Sequence, residues 1–464
     1  MHNRLKSIKL SPPQSVSFIF YFYTVVVFAK EIKMAPQTVE PSLQFHQRLL
    51  TIGLITGVLG VNQGRLAVEN SLAAILEDKN LELDQISIGK LLAWGNFFYF
   101  LGKTLSGIAT DKLGGRAIFV SSILFSGIFC IFLSAANTFT LLTFCWCICK
   151  LFVSSNWPSM TKVTSLWFSS KFYGEITGII STSSRIGHLL SCFVTAELLR
   201  NGFYWRTIIM LIALLQLLTG VFNYFAIKES PMSVGLPNLN EIELKESACL
   251  PRENPLDKLN WSSAVMHMLR DRTVWLMLLF VGGTTVLMEV QSFLPLFLRQ
   301  YLKLDMGSAV YASCSFQIGS IGGVIFGGYL YDKLAAKKLT MFLNLCMIVC
   351  TGCYIFYWRM LPVMSKVDVF YTLFVIGFFL SIPYYLPASV FSMVYGGQRF
   401  SGTLAALLES LGFLLTMTFD YYAAVVVKEH GWSTFFGILA VASMGTTAIF
   451  FLVSSHPTLI TRRH

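Results

Sequence analysis

At 464 residues, with 55% hydrophobic side chains, 13% charged ones and a mean hydropathy of +0.63, the chain has too little polar surface to cover a soluble globule of its size. Its formal charge of +11 is spread as single basic residues between apolar segments, without the block or stripe that nucleic-acid binding needs, and suits cationic loops facing a cytoplasmic leaflet. What remains is an all-α, multi-pass membrane protein.

Residues 1–33 carry Arg4, Lys6 and Lys9, an apolar run from Val16 to Ala29, and then Lys30 and Lys33. The outline is that of a signal peptide, but no small-residue cleavage site follows and the run is shorter than the ~20 residues a spanning helix needs. Met34 is an alternative start, and residues 1–46 are assigned as an N-terminal cytosolic segment without a function of their own.

From about Gln47 onward, apolar segments of spanning length follow one another at roughly 47–70, 88–110, 117–136, 138–160, 173–198 and 206–227, and again at 274–298, 308–330, 339–358, 367–394, 401–427 and 432–454. This predicts two six-helix bundles, 47–227 and 274–454, followed by a cytosolic tail at 455–464. The stretch between them, 228–273, is polar and contains Pro231, Pro237, Pro251 and Pro255, as a linker should. Glu69, Glu77, Asp78, Glu82 and Asp84 gather in the 69–87 loop, whereas Lys112, Arg116, Lys162, Lys171, Lys333, Lys337, Lys338, Arg462 and Arg463 fall on the other side. The basic side is expected to be cytosolic, with both termini and the linker, so the sequon Asn260-Trp-Ser262 should go unmodified.

The two bundles repeat one another. Gly107-x-x-x-Asp111-Lys112-Leu113 returns as Gly328-x-x-x-Asp332-Lys333-Leu334, 221 residues later. Gly174 and Gly402 lie 228 residues apart, and Trp205 and Trp432 lie 227 apart. Three landmarks in nearly constant register argue for duplication of a six-helix unit.

Few ionisable residues fall at membrane depth. Arg65 lies in the first helix, Lys103 in the second, and Arg185 with His188 in the fifth. A cation at the bilayer centre costs at least ~2.5–3.5 kcal/mol, so each needs a partner or a watery cavity. No deep carboxylate is apparent in those three helices, and an anionic ligand would answer the need. At ~1.5 Å per residue, Arg65 stands roughly 22 Å and Lys103 roughly 10 Å above the cytosolic boundary, a gap two long side chains can close.

Asp111 and its copy Asp332 end their helices beside Arg116 and Lys333 and are expected to fasten cytosolic loops as a gate. Asn156-Trp157-Pro158 should bend the fourth helix, placing Lys162 near the interface as a topogenic charge or a further substrate contact, the role also considered for Arg185. In the second half the deep charges are acidic: Glu289 in the seventh helix, and Glu409 and Asp420 in the eleventh. Glu289 and Asp420 are the candidates for proton coupling, with Glu409 taken as closer to the interface.

The ten cysteines sit mostly inside apolar runs without zinc-ligand spacing, and read as packing residues. Neither a metal nor a cofactor is expected, and the absence of a nucleophile–base pair or phosphate-binding loop argues against an enzyme.

The run from Arg65 through Asn240 resembles the organophosphate:phosphate antiporter family of the major facilitator superfamily, in its glucose-6-phosphate and glycerol-3-phosphate transporter branch. The resemblance rests on Lys103-Thr-Leu-Ser-Gly-Ile-Ala-Thr-Asp111, Trp157-Pro-Ser-Met-Thr-Lys162 with Trp167-Phe168, Ile180-Ser-Thr-Ser183, and Glu229-Ser-Pro-Met-Ser-Val-Gly235-Leu-Pro-Asn238-Leu. Gly327 through Asp332, Tyr385-Leu-Pro387 and Gly402-Thr403 extend it into the second half. It implies a twelve-helix carrier that exchanges a phosphorylated metabolite for inorganic phosphate by alternating access, with Arg65 and Lys103 as phosphate contacts.

The chain departs from the family in its seventh helix, where Met288-Glu289 replaces a basic residue. With one cation fewer and one carboxylate more, the substrate is either a monoanion or enters with a proton on Glu289. Two alternatives follow: a proton-coupled carrier of a non-phosphorylated acid or sugar, and a sensor that binds without transporting. The resemblance points to the endoplasmic-reticulum membrane, with the plasma membrane as the other candidate; a monomer is expected.

Overall fold

The computed structural model describes residues 41–76, 78, 80, 81, 83, 85–169, 172–237, 255–304 and 306–454. Outside the described residues lie the 1–40 segment, the tail, residues 238–254 of the linker, Glu77, Lys79, Glu82 and Asp84 of the acidic loop, and the side chain of Asp332.

Twelve long helices run through the described chain. In the first half they are α1 (Pro41–Asn70), α2 (Gln85–Leu113), α3 (Gly115–Ser134), α4 (Phe139–Ser154, continued by Asn156–Trp167), α5 (Tyr173–Arg200) and α6 (Trp205–Ala226). The second half opens with α7 (Arg272–Met288, continued by Val290–Tyr301), α8 (Met306–Lys333) and α9 (Ala336–Met360). The stretch Lys366–Ser454 is interrupted at Gly397 and Gly431, whose φ values of 60° and 78° belong to the left-handed region that glycine tolerates. It therefore divides into α10 (366–396), α11 (398–430) and α12 (432–454).

The break in α4 falls at Ser155, three residues before Pro158. Proline has no N–H to donate to the carbonyl of Ser154 one turn back, so the helix opens there. Each half has its own apolar core, one around Phe119, Trp146 and Trp205, the other around Phe280, Phe297 and Tyr357.

Two seams hold the halves together, and the repeat explains both. Gly107 of α2 lies so close to α11 that a Cβ there would meet Ala406 at 2.6 Å. Its repeat mate Gly328, in α8, would meet Gly178 of α5 at 3.3 Å. Gly402 presses on Thr110 at the same level of the first seam, and the Gly174 carbonyl lies 3.4 Å from the Cβ position of Gly328 in the second. The glycines at fixed register are thus the places where one half approaches the other so closely that a Cβ would clash at Gly107 and Gly402 and press on the facing backbone at Gly328. The paired tryptophans anchor the opposite face: Trp205 Nε1 donates to Asp78 Oδ2 at 3.0 Å, and Trp432 Nε1 to Gln300 Oε1 at 3.0 Å.

Asp78 is a junction in its own right. It also accepts from Tyr204 Oη (2.5 Å) and the Asn80 N–H (3.0 Å), and lies 3.5 Å from Arg206. Burial pushes this carboxyl up, but the hydrogen bonds and the Arg206 charge outweigh it and hold the group below the usual aspartate range.

Candidate functional site

Between the halves lies a cavity of about 110 Å³, lined by α1, α2, α4 and α5 on one side and by α7, α10 and α11 on the other. The charges on its wall are unevenly divided. The first half contributes Arg65, Lys103 and Arg185, and the second half contributes Glu289 and Glu409, leaving one positive charge in excess when both carboxylates are ionised.

The three cations are held differently. Lys103, fully buried, reaches across the seam to an oxygen of Glu409, and its ammonium also lies 5.7 Å from the centre of the Tyr99 ring. Arg65 Nη2 donates to His188 Nε2 at 3.2 Å, which makes that nitrogen the acceptor of a neutral imidazole, and its Nε stands 3.9 Å from Glu69. Glu69 in turn accepts from Lys150 at 2.8 Å, so Arg65 shares the one carboxylate it pairs with among the described residues.

Arg185 stands apart. It is 1% exposed, lies 4.2 Å over the ring of Tyr385, and makes no ion pair among the described residues. Its Nε and Nη2 also lack a hydrogen-bond acceptor there. A guanidinium in this condition lies well above the energetic cost of a paired one, and a ring face offsets only part of that cost.

These contacts correct the expectation that the deep cations lack carboxylates. Lys103 is neutralised by Glu409, which lies in the cavity wall and not near the interface, and Arg65 is neutralised in part by Glu69, a residue read from the sequence as a loop charge but placed in the last turn of α1. Lys150 was not recognised at all. Its signal was a lone lysine inside the apolar run Phe144–Phe152, and the structure buries it against the rings of Trp146 and Tyr99.

The remaining candidates lie elsewhere. At the face that carries the linker, Asp111 Oδ1 pairs with Lys162 Nζ at 2.9 Å while Oδ2 accepts the N–H of Thr403 at 2.7 Å. Lys162 also donates to the carbonyls of Gln398 (2.5 Å) and Arg399 (2.8 Å), and Ser165 meets Ser401 at 3.1 Å. Lys162 therefore belongs to this latch between α2, α4 and α11, outside the cavity lining.

Arg116 works within the first half, where its guanidinium donates to the Tyr224 carbonyl at 2.8 Å. The N–H groups of Gly115 and Arg116 both donate to Glu229 at 2.8 Å, so Glu229 caps the start of α3. Lys333 is exposed and donates to Tyr329 Oη at 2.5 Å, while the side chain of Asp332 is outside the described residues.

Of the two proton-coupling candidates, Glu289 lines the cavity and accepts from Ser292 Oγ at 2.6 Å. Asp420 lies outside the lining and accepts from Asn96 of α2 at 2.7 Å, joining the halves toward the far face. Among the described residues no group of His, Cys, Asp and Glu is arranged to hold a metal.

Comparison with known proteins agrees with this architecture. The chain is 21% identical over 435 residues to a probable hexose phosphate transport protein of Chlamydia trachomatis, covering 89% of this chain and 92% of that one. It is 22% identical over 383 residues to the membrane sensor protein UhpC of Escherichia coli, with coverage of 80% and 84%. Sugar phosphate exchanger 3 of Xenopus laevis is 22% identical over 371 residues, covering 72% and 73%. The solved structure of the proton:xylose symporter XylE bound to 6-bromo-6-deoxy-D-glucose superposes with a TM-score of 0.68 at 12% identity, covering 87% of this chain and 95% of that one, a likeness of fold. A family profile matches residues 53–419, and with it the twelve helices and the cavity between two halves settle the family: this chain is a multi-pass integral membrane protein of the Major Facilitator Superfamily.

Proposed function

We propose that the chain is a secondary transporter that exchanges a phosphorylated organic anion, a sugar phosphate or a related phosphate ester, for inorganic phosphate by alternating access. The observation that carries this reading is Arg185: a buried guanidinium on the cavity wall with two nitrogens unpartnered, and no carboxylate paired to it, among the described residues. A phosphate oxygen supplies the missing acceptors, and the planar fork of arginine suits phosphate geometry. The relatives support the same chemistry, since two of the three are named for sugar or hexose phosphates.

Arg65 and Arg185 make the first contact with the anion. Lys103 joins them when the phosphate displaces Glu409, because a dianion in the same low-dielectric cavity is the stronger partner. Release of that bridge loosens the seam between α2 and α11 at mid-depth. The latch at Asp111, Lys162 and Thr403 then closes or opens the linker face as the halves rock about the site.

The test is phosphate exchange by the purified full-length protein in proteoliposomes, with sugar phosphates and non-phosphorylated acids as competitors. Exchange that requires trans phosphate and is inhibited by phosphate esters is the expected result. Uptake that runs without trans phosphate and ignores phosphate esters would remove the reading.

A further inference from the structure

Two charges of opposite sign, neither in an ion pair among the described residues, face the same cavity from opposite halves. Among the described residues neither Arg185 nor Glu289 makes an ion pair; Arg65 and Lys150 attract Glu289 only from beyond ion-pair distance, and its carboxylate accepts from the Ser292 hydroxyl at 2.6 Å. The other carboxylate in the lining, Glu409, is already taken by Lys103.

The repeat places these charges with some regularity. Arg65 and Glu289 are 224 residues apart, inside the 221–228 offset that relates the halves, so α1 and α7 present a cation and a carboxylate at equivalent positions. Both side chains line the cavity between the halves. The wall is therefore polarised across the pseudo-two-fold: guanidinium groups on one side, a carboxylate on the other.

A plain phosphate ester meets only half of this arrangement. Its anion satisfies Arg65 and Arg185 but brings negative charge toward Glu289, and a neutral sugar face leaves that carboxylate without a counter-ion.

We propose that the preferred ligand is dipolar, a small phosphate ester that also carries a protonated amine, with its phosphate on Arg65 and Arg185 and its ammonium on Glu289. This rests on the organophosphate reading and narrows its substrate class. The ammonium donates to the free lone pairs of Glu289, as the Ser292 hydroxyl does to one of them, and Gln291 of the same wall lies beside it in the lining.

The experiment uses the full-length carrier in proteoliposomes loaded with inorganic phosphate and compares two matched pairs of trans substrates: glucosamine 6-phosphate with glucose 6-phosphate, and phosphoethanolamine with ethyl phosphate. The aminated member of each pair is expected to drive exchange at about tenfold lower concentration, the scale of one charge-assisted contact. Glu289→Gln is expected to bring that ratio close to one, and Glu289→Asp to keep it. Equal use of both members by the wild-type protein overturns the dipolar ligand while leaving organophosphate exchange standing, and so does a preference that survives Glu289→Gln. Exchange of the amine-free esters that gains from acidic pH in wild type and loses that gain in Glu289→Gln assigns a proton to Glu289 instead of an amine, which also overturns it. Failure of every phosphate ester to exchange removes the broader reading with it.

Discussion

Lys103 of α2 and Glu409 of α11 form an ion pair that joins the two halves inside the cavity wall, with the lysine side chain 1% and the glutamate side chain 19% exposed. Glu409 is in effect a resident anion on a cation that a phosphate would use. Removing it as Glu409→Gln strips the competitor but strands a buried charge, and breaking one side of such a pair costs roughly 3–5 kcal/mol. The variant should melt at lower temperature than wild type in detergent, bind phosphate about tenfold more tightly, and recover most of its melting temperature when phosphate is added. Thermal melting with and without phosphate reads all three effects.

The latch at the linker face has two independent contacts on one carboxylate. Asp111→Asn removes the ion pair with Lys162 but leaves an oxygen able to accept from the Thr403 N–H. Loss of a pair this buried should raise the population of the conformation open to that face by at least about tenfold, or roughly 1.4 kcal/mol. A cysteine at Ser401, which meets Ser165 across the closed latch, should react correspondingly faster with a membrane-impermeant maleimide in the Asp111→Asn background.

Asp78 gives a pH prediction at the opposite face. Its carboxyl is held below the ordinary aspartate value in the folded protein, so the stability it contributes is complete above the unfolded value near pH ~4 and is lost as pH falls through the lower folded value. Asp78→Asn should lower the melting temperature at pH 7, where the loss of charge-assisted hydrogen bonds from Tyr204 and Trp205 costs about 2 kcal/mol, and the difference from wild type should shrink toward pH 3. Melting curves across that range check the sign.

The helices were legible because each is a long apolar run, and the duplication because Gly107/Gly328, Gly174/Gly402 and Trp205/Trp432 keep their register. Arg65 and Arg185 were legible as cations that hydrocarbon would not tolerate. What the sequence does not carry is which of them finds a partner, since Glu409 and Glu69 lie far from Lys103 and Lys150 in the chain or on another helix, and only packing brings them together. The face of Arg185 was equally hidden: α5 has serine, threonine and glycine on most sides, so periodicity does not orient it. Lys150 escaped because a single basic residue among cysteines and aromatics looks like a topogenic charge until Glu69 is seen beside it.

The central claim is that Arg185 is left without a protein counter-ion among the described residues because the substrate provides one. An unpaired buried guanidinium contributes nothing to folding, so Arg185→Ala should leave the melting temperature in detergent equal to or above that of wild type while phosphate exchange in proteoliposomes falls by at least about a hundredfold. Arg185→Lys, which keeps the charge but loses the planar fork, should fall between the two, chiefly through a higher KM. Phosphate exchange at the wild-type rate in a well-folded Arg185→Ala carrier would contradict the account.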